Sequence, residues 1–293
     1  MNIIIATDLS EFNDNLLPYA IDIIKHTGGS LILYHAIVDH VILGDPGLPG
    51  MLESEAYLNR ELMSELEEQS LKHMEQKAAI LSSMLLAAGL DKVELKTIVK
   101  GGDPENDLAE LASEYSANLI LMGTRGKGRK AFLEGNMARR IMQKINIPLL
   151  IIPEGYNFRE NNKILYATSL NKNDKAAIEF ILELLDPFDP ELHVVHLLWD
   201  ISKQEPVLRM ELLRQNFIKE VNLGKVRFDL IPARNAREDL KTYCAAHDIS
   251  MASFIANKRS WLDYIFPGKV GKNDFFALGL PMLTFRFDQE MRP

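Results

Sequence analysis

The chain repeats itself. ILYATSLN, starting at Ile164, stands 161 positions after IIIATDLS, starting at Ile3, and LHVVHLLW, from Leu192, stands the same 161 positions after LILYHAIV, from Leu31. Near the chain ends the offset becomes 133, which sets Gly268 against Gly135 and Pro281 against Pro148. The difference of 28 falls mainly on a shorter loop and helix between the second and third strands of the later copy. Duplication on this scale dictates two similar domains and a pseudo-two-fold arrangement. The 293 residues suit two ordinary domains of about 150 each.

Within the first copy, apolar strands alternate with helical stretches. Asn2 to Thr7 is β-branched and apolar and leads into Asp8 and Ser10, and a helix follows from about Glu11 to His26, ending at Gly28-Gly29. Leu31 to Val38 reads as the second strand. Asp39 to Glu53 is a loop rich in Gly and Pro, and a long charged helix then runs from about Ser54 to Ala88. Val93 to Val99 is a third strand, and Pro104 sits in the first turn of the next helix. Ile147 to Ile152 closes the copy as a fifth strand, and the polar stretch Glu154 to Asn162 is the linker. This order predicts an α/β fold of two tandem, doubly wound, five-stranded parallel sheets, with domains at 1–153 and 163–293. Ligands of such sheets sit beyond the carboxyl ends of the strands, where Asp8, Ala36 and Gly123 fall.

The stretch from Leu119 to Pro153 carries the clearest chemistry. A buried-strand run, Leu119 to Met122, stops at Gly123, and a loop with Gly126, Gly128 and Gly135 leads to Asn136 at a helix N-cap position. Met137, Ile141 and Ile145 continue at helical spacing. Strand, glycine loop and helix N-terminus together form a phosphate cradle, because free amides and the positive end of the helix dipole converge there. Seven cations between Arg125 and Lys144, against Glu134 alone, give a local balance of +6 in a chain of net charge −8.

That overall charge argues against nucleic acid as a bulk partner, and the basic loop suits one small anion. No apolar run approaches the ~18 residues of a membrane span, so a cytoplasmic protein with no membrane association is expected. The single cysteine, Cys244, excludes an internal disulfide and reads as a small core residue. His35 and His196 occupy matching places in the two copies, which points to shared packing, and the seven histidines make no metal set. Asp8 reads either as a helix cap or as a ligand contact, and Met122 as core or as ligand contact. No Gly-x-Ser-x-Gly elbow, Gly-x4-Gly-Lys-Ser/Thr loop or His-Glu-x2-His is present.

With Ala6-Thr7-Asp8 ending the first strand, Met122-Gly123 followed by Gly126 and Gly135, and Ile147-Pro148-Leu149-Leu150-Ile151-Ile152-Pro153 at the close, the chain resembles the universal stress protein family, and in particular its tandem members. The family's glycine loop has nine residues between its second and last glycines, whereas eight stand here from Lys127 to Glu134. Asn136 replaces the family's hydroxyl residue. The resemblance implies an adenine nucleotide, ATP with Mg2+, in the first domain. Thr7, Asp8 and Ala36 would lie near base or sugar, Met122 and Gly123 near ribose, and Gly126, Gly135, Asn136 and Met137 around phosphate, with Arg125 of the cationic loop a further cofactor-binding candidate. It also implies antiparallel pairing of fifth strands, here Leu149 to Ile151 against Leu283 to Phe285 as an internal pseudo-dimer, with homodimers using other surfaces.

The second copy lacks the cradle, since Ala256, Asn257, Lys258 and Arg259 stand where Gly123, Thr124, Arg125 and Gly126 do, and Ser169 stands for Asp8. It is expected to serve pairing or regulation. The shortened spacer and this degenerate copy favour a second reading, a nucleotide-free interaction scaffold. Slow ATP hydrolysis is a third reading, with Glu134 the one acid in the loop and no catalytic residue assigned.

Overall fold

The structure, a computed structural model, describes residues 1–10, 14–37, 51–124, 137–159, 162–256 and 278–287. It divides into two compact units, Met1–Phe132 and Leu133–Pro293.

The first unit runs β1 (Asn2–Ala6), α1 (Leu16–Thr27), β2 (Ser30–Ile37), α2 (Met51–Ala87), β3 (Glu94–Gly101), α3 (Pro104–Glu114) and β4 (Leu119–Gly123). Its strands lie in the order β3-β2-β1-β4, and every pairing among them is parallel. The chain therefore winds outward from β1 to β3 and then crosses to the other side of β1, which puts the topological switch point between β1 and β4. Ile3, Ile4 and Ile5 are fully buried, as a parallel strand covered on both faces requires. Each contributes about 1.5–3 kcal/mol by leaving water. The helix α3 starts as the sequence indicates, with Asp103 accepting from the Glu105 amide at 3.1 Å and Pro104 in the first turn.

The long helix α2 has 37 residues, and along its second half it buries Met74, Lys77, Leu81 and Leu85, a stripe at three- and four-residue spacing. Three of those side chains are apolar. The fourth is a lysine.

The second unit begins with α4 (Met137–Lys144) and β5 (Leu149–Ile152). It continues through β6 (Lys163–Ala167), α5 (Asp174–Leu185), β7 (Glu191–Leu198), α6 (Glu205–Gln215), α7 (Ile218–Asn222), β8 (Val226–Pro232), α8 (Ala236–Ala246), β9 (Met251–Ile255) and β10 (Met282–Phe285). Its strand order is β5-β10-β9-β6-β7-β8. The order β8-β7-β6-β9 reproduces the parallel winding of the first unit, so the internal repeat is visible as topology. The short α6 and α7 stand where the first copy has the single long α2, which accounts for the change of offset.

The strand β5, with which the repeat ends its first copy, pairs antiparallel with β10, Leu149 opposite Thr284, Leu150 opposite Leu283 and Ile151 opposite Met282. All six side chains are at most 3% exposed. Pairing satisfies the amides and carbonyls of an edge that would otherwise be both apolar and open.

Candidate functional site

The strands β1, β2 and β4 end side by side, with Ala6 opposite Tyr34 on one flank and Met122 on the other. Past the end of β1, the Thr7 amide makes one more ladder bond, to the Tyr34 carbonyl at 2.9 Å. The backbone then turns sharply through Leu9, at φ 62°. A left-handed conformation costs a residue with a Cβ about 1–2 kcal/mol, so the turn has to be held.

Three side chains hold it. The Thr7 hydroxyl accepts from the Leu9 amide at 3.0 Å. One Asp8 carboxylate oxygen accepts from the Ser10 amide at 3.1 Å and from the Ser10 hydroxyl at 2.6 Å. From α2, the Lys77 ammonium donates to the Ser10 carbonyl at 2.8 Å and pairs with the Asp14 carboxylate. Ser10 is fully buried, so its carbonyl would have no water to turn to without the lysine.

On β2, His35 places Nδ1 2.9 Å from the Thr7 carbonyl oxygen. A carbonyl only accepts, so Nδ1 carries the ring proton. Burial holds the ring below its ordinary pKa of 6.5, opposed by the Thr7 bond and the Asp8 charge and reinforced by His73. On the other face of β2, the Tyr34 hydroxyl donates to Asp107 at 3.0 Å, and burial followed by that carboxylate raises its pKa.

Of the residues singled out in the sequence, Thr7, Asp8, Ala36, Met122 and Gly123 thus come together at one edge of one sheet. Thr7, Ala36 and Met122 are 5%, 4% and 1% exposed and Gly123 is buried, which leaves Asp8 as the partly exposed side chain of the set. The Met122 side chain packs in the core. Arg125, Gly126, Gly135 and Asn136 lie outside the described residues, and Met137 opens α4 in the second unit. Among the described residues no group of three or more His, Cys, Asp or Glu is arranged to hold a metal ion.

Sequence reasoning missed Lys77 and gave His35 a packing role alone. The signal for Lys77 was present: a cation in the helical register of Met74, Leu81 and Leu85, where an apolar residue belongs.

The second copy shows what the same turn looks like with Ser169 in place of Asp8. Leu170 is left-handed at φ 55°, its amide donates to the Thr168 hydroxyl at 2.9 Å, and His196 Nδ1 contacts the Thr168 carbonyl at 2.9 Å. Where the first copy has Asp8, Ser169 accepts from the Asn171 side chain at 2.7 Å. Asp174, 1% exposed, takes the Tyr166 hydroxyl at 2.6 Å and the Asn171 amide. Burial raises the Asp174 carboxyl pKa, and those hydrogen bonds work against the rise. The polar groups of this turn bind one another.

A sequence profile of the Universal stress protein family matches residues 1–153. The chain is similar over nearly its whole length to universal stress protein Slr1230 of Synechocystis sp., at 25% identity across 297 residues, covering 97% of this chain and 99% of that one. Among solved structures, a universal stress protein from Archaeoglobus fulgidus shares the fold with a TM-score of 0.67 at 14% identity, covering 97% and 98% of the two chains. A universal stress protein solved in complex with cAMP aligns with 52% of this chain and 96% of its own, at 21% identity and a TM-score of 0.34.

Proposed function

This chain belongs to the Universal stress protein family, and from that premise we propose that its first copy, residues 1–153, binds an adenine nucleotide, ATP with Mg2+, and uses occupancy to change its conformation or its partners. The observation that carries the reading is the convergence of Thr7, Asp8, Ala36, Met122 and Gly123 at the carboxyl edge of β1, β2 and β4, beside the switch point. Asp8 supplies an anionic acceptor for sugar hydroxyls or an exocyclic amine. The bare backbone at Gly123 supplies close approach. The cationic loop from Arg125 and the residues Gly126, Gly135, Asn136 and Met137 would receive phosphate. The second copy, residues 163–293, serves pairing or regulation, the β5–β10 ladder taking the place of strand pairing between subunits. A cytoplasmic setting fits, and among the described residues no helix is long and apolar enough to cross a membrane.

Isothermal titration of the whole chain with ATP and magnesium tests this. Saturable heat at sub-millimolar nucleotide, lost in Gly126→Val, is expected. Its absence in the unmodified chain sinks the reading.

One observation favours the scaffold reading instead. Ile201, Leu208, Leu212 and Leu223, in the crossover between β7 and β8, are 62–77% exposed, which suits contact with a protein partner. Mass spectrometry of the natively purified protein separates the two readings, because co-purified nucleotide rejects a nucleotide-free scaffold.

A further inference from the structure

A lysine that is 8% exposed and sits in an otherwise apolar helix stripe calls for an explanation, because a buried ammonium is costly unless paired and hydrogen-bonded. Lys77 is both. Its partners are the Ser10 carbonyl, in the turn after β1, and Asp14, two residues before α1 begins at Leu16. Ser10 is also the residue whose amide and hydroxyl fix the Asp8 carboxylate. A continuous chain of contacts therefore runs from the ammonium through Ser10 to Asp8, the partly exposed side chain among the described residues of the candidate site.

The second copy repeats the device in weaker form. Arg209, on the crossover helix α6, donates to the Leu170 carbonyl of the equivalent turn at 3.3 Å. That arginine is 56% exposed, its acidic partner Glu205 belongs to its own helix, and the turn it touches has Ser169 for Asp8. A cation reaching from the second crossover to the first turn is thus common to both copies. Its burial, and its pairing with an acid beside the turn, go with the copy that keeps the ligand set.

We propose that Lys77 is a positioning residue for the nucleotide: it holds the left-handed turn at Leu9 and Ser10 in the one conformation that presents Asp8 at the strand edge. The proposal rests on the nucleotide reading above. With two of its three N–H donors on the Ser10 carbonyl and Asp14 and the residue only 8% exposed, the ammonium acts on the ligand through the turn and not by touching it.

The test uses the whole chain as wild type, Lys77→Met and Lys77→Arg, each titrated with ATP and magnesium, with hydrogen exchange followed at the Leu9 and Ser10 amides. Methionine fills the same space without donors, and Arg209 shows that arginine can make the contact. Lys77→Met is expected to weaken ATP by about tenfold or more and to speed exchange at the two amides, and Lys77→Arg to return both to within about threefold of wild type. If Lys77→Met fails to fold, Asp14→Asn removes the ion pair from the more exposed side, and loss of affinity with faster exchange at the turn is again expected. Unchanged affinity in Lys77→Met, or in Asp14→Asn where that variant is needed, overturns the role while leaving the nucleotide reading intact. No rescue by arginine reduces the lysine to a packing role and likewise overturns it. Absence of ATP binding by the wild-type chain overturns the nucleotide reading, and this role with it.

Discussion

His35 Nδ1 lies 2.9 Å from the Thr7 carbonyl oxygen, and the same contact recurs at 2.9 Å between His196 and Thr168. The second of these stands in a copy that has Ser169 for Asp8, so the contact belongs to the scaffold and does not depend on Asp8. It ties the second strand to the residue just past the end of the first strand, in both copies.

Both rings are held neutral by burial, their pKa below 6.5. The unfolded chain therefore binds protons at a higher pH than the folded one. Stability is full above about 6.5 and is lost as pH falls through that value toward the folded pKa. His196, 4% exposed, gives a limiting slope of about 1.4 kcal/mol per pH unit, and His35 adds in the same direction. Urea titrations between pH 7.5 and 5 check this, and His196→Asn should flatten the dependence.

Asp8 holds its turn through Ser10, and the nucleotide reading gives it a second task. Asp8→Asn keeps an oxygen for the Ser10 amide but loses the negative charge. We expect stability within about 0.5 kcal/mol of wild type and ATP binding weakened about tenfold. Equal affinity would leave Asp8 as a turn former only.

Leu150, 3% exposed, faces Leu283 across the antiparallel β5–β10 ladder. Leu150→Lys puts a charge there without a partner, and a loss of about 3–5 kcal/mol is expected in chemical denaturation. A chain ended at Glu154 keeps β5 and loses β10, so its apolar edge stands open. Such a fragment should self-associate in sedimentation, and a stable monomer would contradict this.

Cys244 lies in α8 with its side chain buried, and burial pushes the thiol up to about 12. Almost no thiolate exists at neutral pH in the fold. Alkylation should be slow in the native protein and rapid in urea. Fast native labelling would show that α8 opens readily.

The repeat and the strand–helix alternation made the fold legible in the sequence, because burial on both faces writes a parallel strand such as Ile3 to Ile5 as an unbroken apolar run. The sequence also placed Thr7, Asp8, Ala36, Met122 and Gly123 correctly at strand ends. It did not say which of them would remain open to a ligand. That depends on packing from other elements, which buries Met122 and leaves Asp8 partly exposed. Lys77 was harder still, because its partners are 67 and 63 residues away in the chain, and no local pattern joins an α2 lysine to the carbonyl of Ser10.

The β5–β10 seam has a consequence for how such a chain can change. When identical subunits meet across a dyad, every substitution appears on both sides at once. Here Leu149, Leu150 and Ile151 face Thr284, Leu283 and Met282, which are separate positions of one sequence. Each side can drift while the other compensates. The later copy is thus free to abandon an aspartate for Ser169 and knit its turn together internally, provided it still supplies the strand that closes the seam.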